Sequence, residues 1–349
     1  MQTQTKYNSG VFIYKVWDTE NLPVIQQEFI SALHNSPEFI KLDQNAEQPR
    51  MWTLGGFGAL GGFPSAWHAP IFRKLRTEMS NAFTEQVAKP FIQTENLEHL
   101  NYNIETLPDR PGIRYPSQQP DRETWHRDIS PRESLFNEHD IVFGGWANLG
   151  SESQFFSYIP GSHRDANLFE LSSEPGFAAV KDKQLLKKLD SMKYIQEIKP
   201  GEAIAFPQHI LHEVLRRPAK TLNMRQFTGF RLTQSTKPLF NRDIRNQGVL
   251  LLPSGQTPRN YSRNHGSIFI EKLFSPIPNN KKFKINIQTW SENTFHSKII
   301  ETFIRKSGNR KGESYKAIPS TLKSLKELEL PLYPDYTHEE IQLITPTKL

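Results

Sequence analysis

The sequence contains no cysteine, so disulfides, thiolate nucleophiles and thiolate metal sites are all excluded, and any metal must be held by His, Asp or Glu. Nor is there an apolar run near the roughly 18 residues that a membrane-spanning helix needs. Residues 1–10 are polar and lack the apolar stretch of a secretory leader. Together these absences predict a protein kept in the cytoplasm, with no membrane span. Internal repeats, low-complexity tracts, runs of five like charges and a Gly-Lys-Ser/Thr phosphate loop are missing too.

What is present is the composition of a globular chain of 349 residues: 36% hydrophobic, 23% charged, 25 Pro, 23 Phe, 10 Tyr and 6 Trp. The net charge of +6 is unevenly spread, because residues 241–349 hold 17 Lys+Arg against 10 Asp+Glu while residues 1–240 are nearly balanced at 26 against 27. The basic C-terminal third is either a solvated surface or a face for nucleic acid or another polyanion.

Ile25, Phe29 and Leu33 after Pro23, and Phe72, Leu75, Met79 and Phe83 after Pro70, fall at helical spacing. From about residue 100 to 233 the texture changes to short apolar runs broken by Pro, Gly, Asn and Asp: 102–106, 141–143, 155–159, 203–206, 214–215 and 227–232. Evenly spaced short strands predict an antiparallel sandwich or jelly roll. One helical insertion is expected at 181–192, where Leu185, Leu186 and Leu189 share a face, and two more helices at 295–304 and 322–328. Residues 56–61 formally match the dinucleotide fingerprint GxGxxG, but Gly62, Pro64 and a Trp-His-Ala-Pro stretch follow where a helix should begin. A connection or a substrate-side loop is the better reading.

The most informative residues are Trp125-His126-Arg127-Asp128 and, 86 positions after His126, His212. In an extended segment residues i and i+2 point the same way, so His126 and Asp128 can reach one metal, with His212 supplied by another strand. Two neutral imidazoles and a carboxylate on one face of an octahedral ion leave three positions open, as in non-haem Fe(II) oxygenases that bind a co-substrate and dioxygen. A keto acid such as 2-oxoglutarate also needs its far carboxylate neutralised, best by the planar fork of an arginine. Arg225 and Arg231 follow His212 at an even spacing of six, which lets both face inward from one strand or pair with acidic neighbours. Taken singly each piece is weak; their order and strand-like surroundings make the metal site. His209 competes for the distal position but, three residues from His212, faces the other side of a strand. His34, His68, His99, His139, His265, His296 and His338 have no comparable context.

On Trp125-His126-Arg127-Asp128, on the run Tyr158-Ile159-Pro160-Gly161-Ser162-His163-Arg164, and on Gly201-Glu202-Ala203-Ile204-Ala205-Phe206 leading to His212 and then Arg225, the sequence resembles the phytanoyl-CoA dioxygenase-like branch of Fe(II)- and 2-oxoglutarate-dependent oxygenases. The resemblance covers about residues 100–235. It implies a mainly β fold with flanking helices around a double-stranded β-helix (jelly-roll, cupin-like) core, with a helical flank at 1–99, the core at 100–237 and a basic extension at 238–349. It implies that His126, Asp128 and His212 are the catalytic iron ligands, that Arg225 holds the 2-oxoglutarate tail, and that Ser162 and His163 shape a turn. Arg231 is a second candidate contact to the co-substrate. Related halogenases carry Ala or Gly where Asp128 stands, so hydroxylation of a small-molecule substrate is implied. Two alternatives remain: a zinc hydrolase on the same three ligands, and a non-catalytic jelly-roll module binding a polyanion.

Overall fold

The computed structural model describes residues 9–35, 52–54, 57–59, 69–107, 110–116, 124–128, 139–164, 178–215, 217–237, 242–243, 249–250, 302–304, 314–316 and 336–349. In chain order the elements are β1 (Phe12–Lys15), α1 (Leu22–His34), β2 (Trp52–Leu54), β3 (Phe57–Ala59), α2 (Pro70–Phe83), α3 (Lys89–Thr94), β4 (Asn103–Thr106), β5 (Arg110–Arg114), β6 (His126–Arg127), β7 (Ile141–Asn148), β8 (Gln154–Tyr158) and β9 (Ala178–Ala179). Then come α4 (Lys183–Met192), β10 (Tyr194–Ile198), β11 (Glu202–Pro207), β12 (His212–Glu213), β13 (Asn223–Phe227), β14 (Phe230–Thr233), the short pairs β15 (Arg242–Asp243) with β16 (Val249–Leu250) and β17 (Thr302–Ile304) with β18 (Ser314–Lys316), α5 (His338–Leu343) and β19 (Thr347–Lys348).

Two antiparallel sheets face each other as a double-stranded β-helix, mainly β with helices on the flank. In the larger, β1, β11 and β7 lie side by side; β13 and β14 then share the far edge of β7, with β5 and β4 beyond them. The smaller sheet runs β10-β8-β12-β6-β9. Alternation sorts side chains between two environments. Along β7, Phe143 and Ala147 join the cluster beneath the helices, whereas Trp146 joins Phe156, Tyr158, Ile204 and Phe206 between the sheets. Gly145 is required where β7 meets β11, since a Cβ there would stand 2.2 Å from the Ile204 carbonyl oxygen.

Both leading helices form where the apolar spacing places them. Each opens with a proline in its first turn, where the missing N–H costs nothing, and Phe29, Leu33, Phe72, Leu75, Met79 and Phe83 are fully buried. Pro90 cannot donate to the preceding turn, and the helix widens into a π turn over Thr84–Ala88 before α3 continues it. Phe83 stacks on Phe230 at 3.9 Å and meets Phe143 edge-on at 5.4 Å, which fastens α2 to the outer face of the larger sheet. Truncating such a buried ring costs about 3–5 kcal/mol.

Several expectations shift. The run at 227–232 divides into β13 and β14, because Thr228 and Gly229 interrupt the ladder between them. No strand forms at 214–215; the pairing falls two residues earlier, on β12. The N-terminal flank is not only helical, since β1 pairs with β11. Within the Gly-rich stretch, β3 pairs with β2 and β5 as part of the sheet. The helix expected at 181–192 forms as Lys183–Met192, capped by the Asp182 side chain accepting from the Leu185 N–H. Of the helix expected at 295–304 the described part, Thr302–Ile304, is a strand, and 322–328 lies outside the described residues.

Candidate metal centre

His126 on β6 and His212 on β12 are direct partners in the smaller sheet. Paired residues of neighbouring strands project to the same face, so register alone sets the two imidazoles side by side, 4.2 Å between ring centroids. Asp128, two residues along, turns the same way: its Oδ1 lies 3.7 Å from His126 Nε2 and 3.8 Å from His212 Nε2. The Asp128 backbone N–H donates to the Gln208 carbonyl, which ties both ligand-bearing segments together.

The donor set fits a divalent ion. His126 Nδ1 lies 2.6 Å from the Thr124 carbonyl oxygen and His212 Nδ1 3.1 Å from that of Ile210. A carbonyl only accepts, so each Nδ1 carries the proton and each Nε2 offers its lone pair toward Asp128. Burial pulls the His212 imidazole down to about 4, assisted by His126 and opposed by Asp128 and the Ile210 carbonyl, so it is a neutral ligand at pH 7. The separations slightly exceed the about 3 Å between adjacent donors on an octahedral ion with bonds of about 2.1 Å. Asp128, 30% exposed in its side chain against 3% and 8% for the histidines, has room to adjust and marks the open side of the group. These three are the residues whose ligand atoms converge within 4.8 Å among the described histidines and carboxylates.

Arg225 projects from β13 into the same interior. Its guanidinium lies 3.5 Å over the Trp146 ring and donates through Nε to Gln154 Oε1 at 2.5 Å. Gln154 is itself held: its amide donates to Asn148 Oδ1 at 2.6 Å and to the Met224 carbonyl at 3.2 Å, while Asn148 donates to the carbonyls of Glu152 and Ile198. Aromatic stacking and the amide network thus fix the direction of the arginine. Burial, and next the nearby Arg114, push the Arg225 guanidinium well below its ordinary value, which raises the gain from a bound anion.

No protein-family model matches the sequence, and no curated protein matches it. Solved structures of similar shape include the non-haem α-ketoglutarate-dependent carbocyclase SnoK from nogalamycin biosynthesis (TM-score 0.45, 12% identity, 67% of this chain and 83% of that one). Others are EctD from S. alaskensis with bound Fe (0.44, 15%, 66% and 75%) and EvdO2 from Micromonospora carbonacea var. aurantiaca (0.42, 13%, 67% and 92%).

Arg231 stands elsewhere. From β14 its Nη2 meets Glu105 at 2.9 Å and the Lys237 carbonyl at 2.9 Å, and its Nη1 meets Asp140 at 3.4 Å. Both carboxylates are buried in their side chains, so this arginine bridges them and ties β14 to β4; the acidic-neighbour reading describes it, and the co-substrate contact lacks support. His209 is absent from the converging group, and its carbonyl accepts from Arg127. Phe206 and Phe156 flank the His212 ring at 5.2 and 5.3 Å. Trp125 faces away from the three converging side chains: it donates to Asp190 of α4 at 2.9 Å and packs with Ile159, Leu189 and Leu211. Ser162, in a turn made possible by Gly161 at φ +75°, donates to the Ile159 carbonyl and accepts from the Leu211 N–H, one residue before His212. Sequence reasoning missed Gln154, Asn148 and Arg114. The first two carry no signal in an ordinary polar turn, and Arg114 is disguised because Pro111-Gly112 reads as a turn although it lies in β5.

Proposed function

We propose that the chain is an Fe(II)- and 2-oxoglutarate-dependent oxygenase of the phytanoyl-CoA dioxygenase-like kind that hydroxylates a small molecule. The observation carrying this reading is one interior that holds both halves of the requirement: His126, Asp128 and His212 on the smaller sheet, and Arg225 facing them from the larger. Fe(II) and 2-oxoglutarate, when bound with dioxygen, supply hydroxylation of a substrate C–H with release of succinate and carbon dioxide.

The protein's own contribution is geometry. The Thr124 and Ile210 carbonyls keep both imidazoles in the ligating tautomer, Asp128 supplies negative charge at the open side, and Trp146 and Gln154 aim Arg225 at a carboxylate. Phe156 and Phe206 exclude water from the His212 side. Retention of a carboxylate at 128 supports hydroxylation rather than halogenation.

Anaerobic titration of purified protein with Fe(II) and then 2-oxoglutarate tests the reading, by the weak visible metal-to-ligand charge-transfer band. The band is expected in the wild type and not in His126→Ala. Tight zinc retention with no band would replace the oxygenase with a zinc hydrolase on the same ligands. A role for the basic C-terminal third in binding a polyanion is a separate proposal, tested by a salt-dependent gel shift.

A further inference from the structure

The sequence neighbours of the two histidines share one backing, because alternation turns the residues beside an inward ligand outward. Trp125, before His126, and Leu211, before His212, join Ile159, Val180 and, from α4, Leu189 in one buried cluster. Glu213, after His212, also faces outward: its Oε1 accepts from Ser157 Oγ of β8 at 3.0 Å and from Lys193 Nζ at 3.0 Å. Lys193 ends α4, and Asp190, one turn earlier, accepts from Trp125 Nε1 at 2.9 Å. Lys193 Nζ stands 4.0 Å from Asp190 Oδ1. A polar chain therefore runs behind the strands of both imidazoles, from Trp125 through Asp190, Lys193 and Glu213 to Ser157.

The ladder itself holds these strands over a short span. β6 and β12 are two residues each and share one register pair, His126 with His212; on their other sides β12 pairs with β8 over two residues and β6 with β9 over two. So short a ladder resists splaying weakly. α4 is anchored where it adds that resistance. Its N-terminal end follows β9 directly, with the Val180 N–H donating to the Trp125 carbonyl and Asp182 capping the first turn. Its C-terminal end is tied to Glu213, whose side chain is 7% exposed. Leaving a buried carboxylate without its cation costs far more than an exposed ion pair contributes, so Lys193 is held to β12 more firmly than a surface lysine would be.

We propose that Asp190 and Lys193, at the C-terminal end of α4, are positioning residues for the metal centre. Asp190 holds Trp125 and through it the backbone of His126; Lys193 holds Glu213 and through it the backbone of His212. The helix thereby sets the separation of the two imidazoles from the face opposite the ion. This rests on the metal-site part of the reading above and not on its oxygenase chemistry, since any divalent ion on His126, Asp128 and His212 meets the same brace.

The probe is Co(II), whose visible ligand-field absorption follows the arrangement of its ligands. Titration of the whole chain gives a dissociation constant and a bound spectrum for the wild type, Asp190→Ala, Lys193→Met and the conservative Asp190→Asn and Lys193→Arg, with urea midpoints measured alongside. Asp190→Ala and Lys193→Met are expected to weaken Co(II) about three- to tenfold and to shift its spectrum, while Asp190→Asn and Lys193→Arg stay near the wild type. Glu340→Ala, at the distant α2–α5 contact, supplies the control: it lowers the urea midpoint and leaves affinity and spectrum alone. If Lys193→Met fails to fold, Asp190→Ala, whose side chain is 41% exposed in the wild type, decides alone. A folded variant that behaves as Glu340→Ala does, losing stability with the Co(II) constant and spectrum unchanged, overturns the brace and leaves the metal site standing. Absence of Co(II) binding in the wild type, or equal binding by His126→Ala, overturns both.

Discussion

His126 and His212 face each other in register on adjacent antiparallel strands, and each gives its Nδ1 proton to the carbonyl oxygen two residues before it, Thr124 or Ile210. The two imidazoles are thus oriented by the same local device on two strands, and the sheet supplies the distance between them. Preorganisation of this kind leaves little ordering cost for an incoming ion.

It follows that metal binding stabilises the fold through these side chains. Fe(II), or Mn(II) as an air-stable substitute, is expected to raise the melting temperature of the wild type, with a gain of about 2.7 kcal/mol at a hundred times the dissociation constant. His126→Ala and His212→Ala keep the β-rich circular dichroism spectrum and lose that response. An equal metal-induced shift in the variants would place the ion elsewhere.

Arg225 and Arg231, six residues apart, are predicted to separate cleanly by assay. Arg225→Ala removes a cation stacked on Trp146 and is expected to raise the 2-oxoglutarate requirement about tenfold to a hundredfold, with a modest change in stability. Arg231→Ala strands the buried Glu105 and Asp140 carboxylates and is expected to cost about 3–5 kcal/mol of stability. Urea unfolding alongside 2-oxoglutarate titration decides it. Equal effects of the two substitutions on the co-substrate requirement would remove the assignment.

Gln154→Leu is the corresponding test of positioning. It leaves Arg225 in place and removes the amide oxygen that accepts from its Nε. The 2-oxoglutarate dissociation constant is expected to rise about three- to tenfold, with the position of the charge-transfer band unchanged because the metal ligands are untouched. A shifted band would show that Gln154 acts on the metal side instead.

The convergence of His126, Asp128 and His212 was legible in sequence because metal chemistry restricts ligands to few residue types and strand alternation fixes their spacing, which puts Asp128 two residues after His126. Arg225 was legible for the same reason, as an interior cation on a strand. Parity also placed Arg231 on an inward face, but alternation says nothing about which groups wait there, and Glu105 and Asp140 come from distant parts of the chain. The same rule turns Trp125, adjacent to His126, the other way, into the cluster with Ile159, Leu189 and Leu211. The edge strands β1 and β19 are short, and their partners lie more than 180 residues away, so no local pattern announces them.

Acid should loosen the turns that carry the distal ligand. Burial holds His209 at about 4, with Arg127 adding to it, and holds His163 at about 4, with Arg164, His209 and Arg127 adding. Both folded values lie below the unfolded value of about 6.5, so between pH 6.5 and 4 the unfolded chain binds more protons. The stability is complete above pH 6.5 and declines as the pH falls toward 4. Urea midpoints at pH 7, 6, 5 and 4.5 are expected to fall in that order, with a shallower slope in His163→Gln/His209→Gln. An identical slope in the double variant would assign the acid response to other groups, His212 among them.

The chain's last residues are predicted to stabilise the core from outside. Arg73 of α2 is 3% exposed and bonds both Glu340 carboxylate oxygens, the Nε contact at 2.8 Å, and Tyr336 covers it at 4.0 Å. Beyond α5, β19 pairs with β4, the strand that also carries Glu105 to Arg231. Glu340→Ala leaves a buried guanidinium short of its carboxylate and is expected to cost about 2 kcal/mol. Because β4 and β14 lie on the outer part of the larger sheet, away from β6 and β12, the Fe(II) and 2-oxoglutarate dissociation constants should stay within about twofold of wild type while the urea midpoint falls. A loss of co-substrate affinity with an unchanged midpoint would mean that the C-terminal residues act on the site and not on the fold.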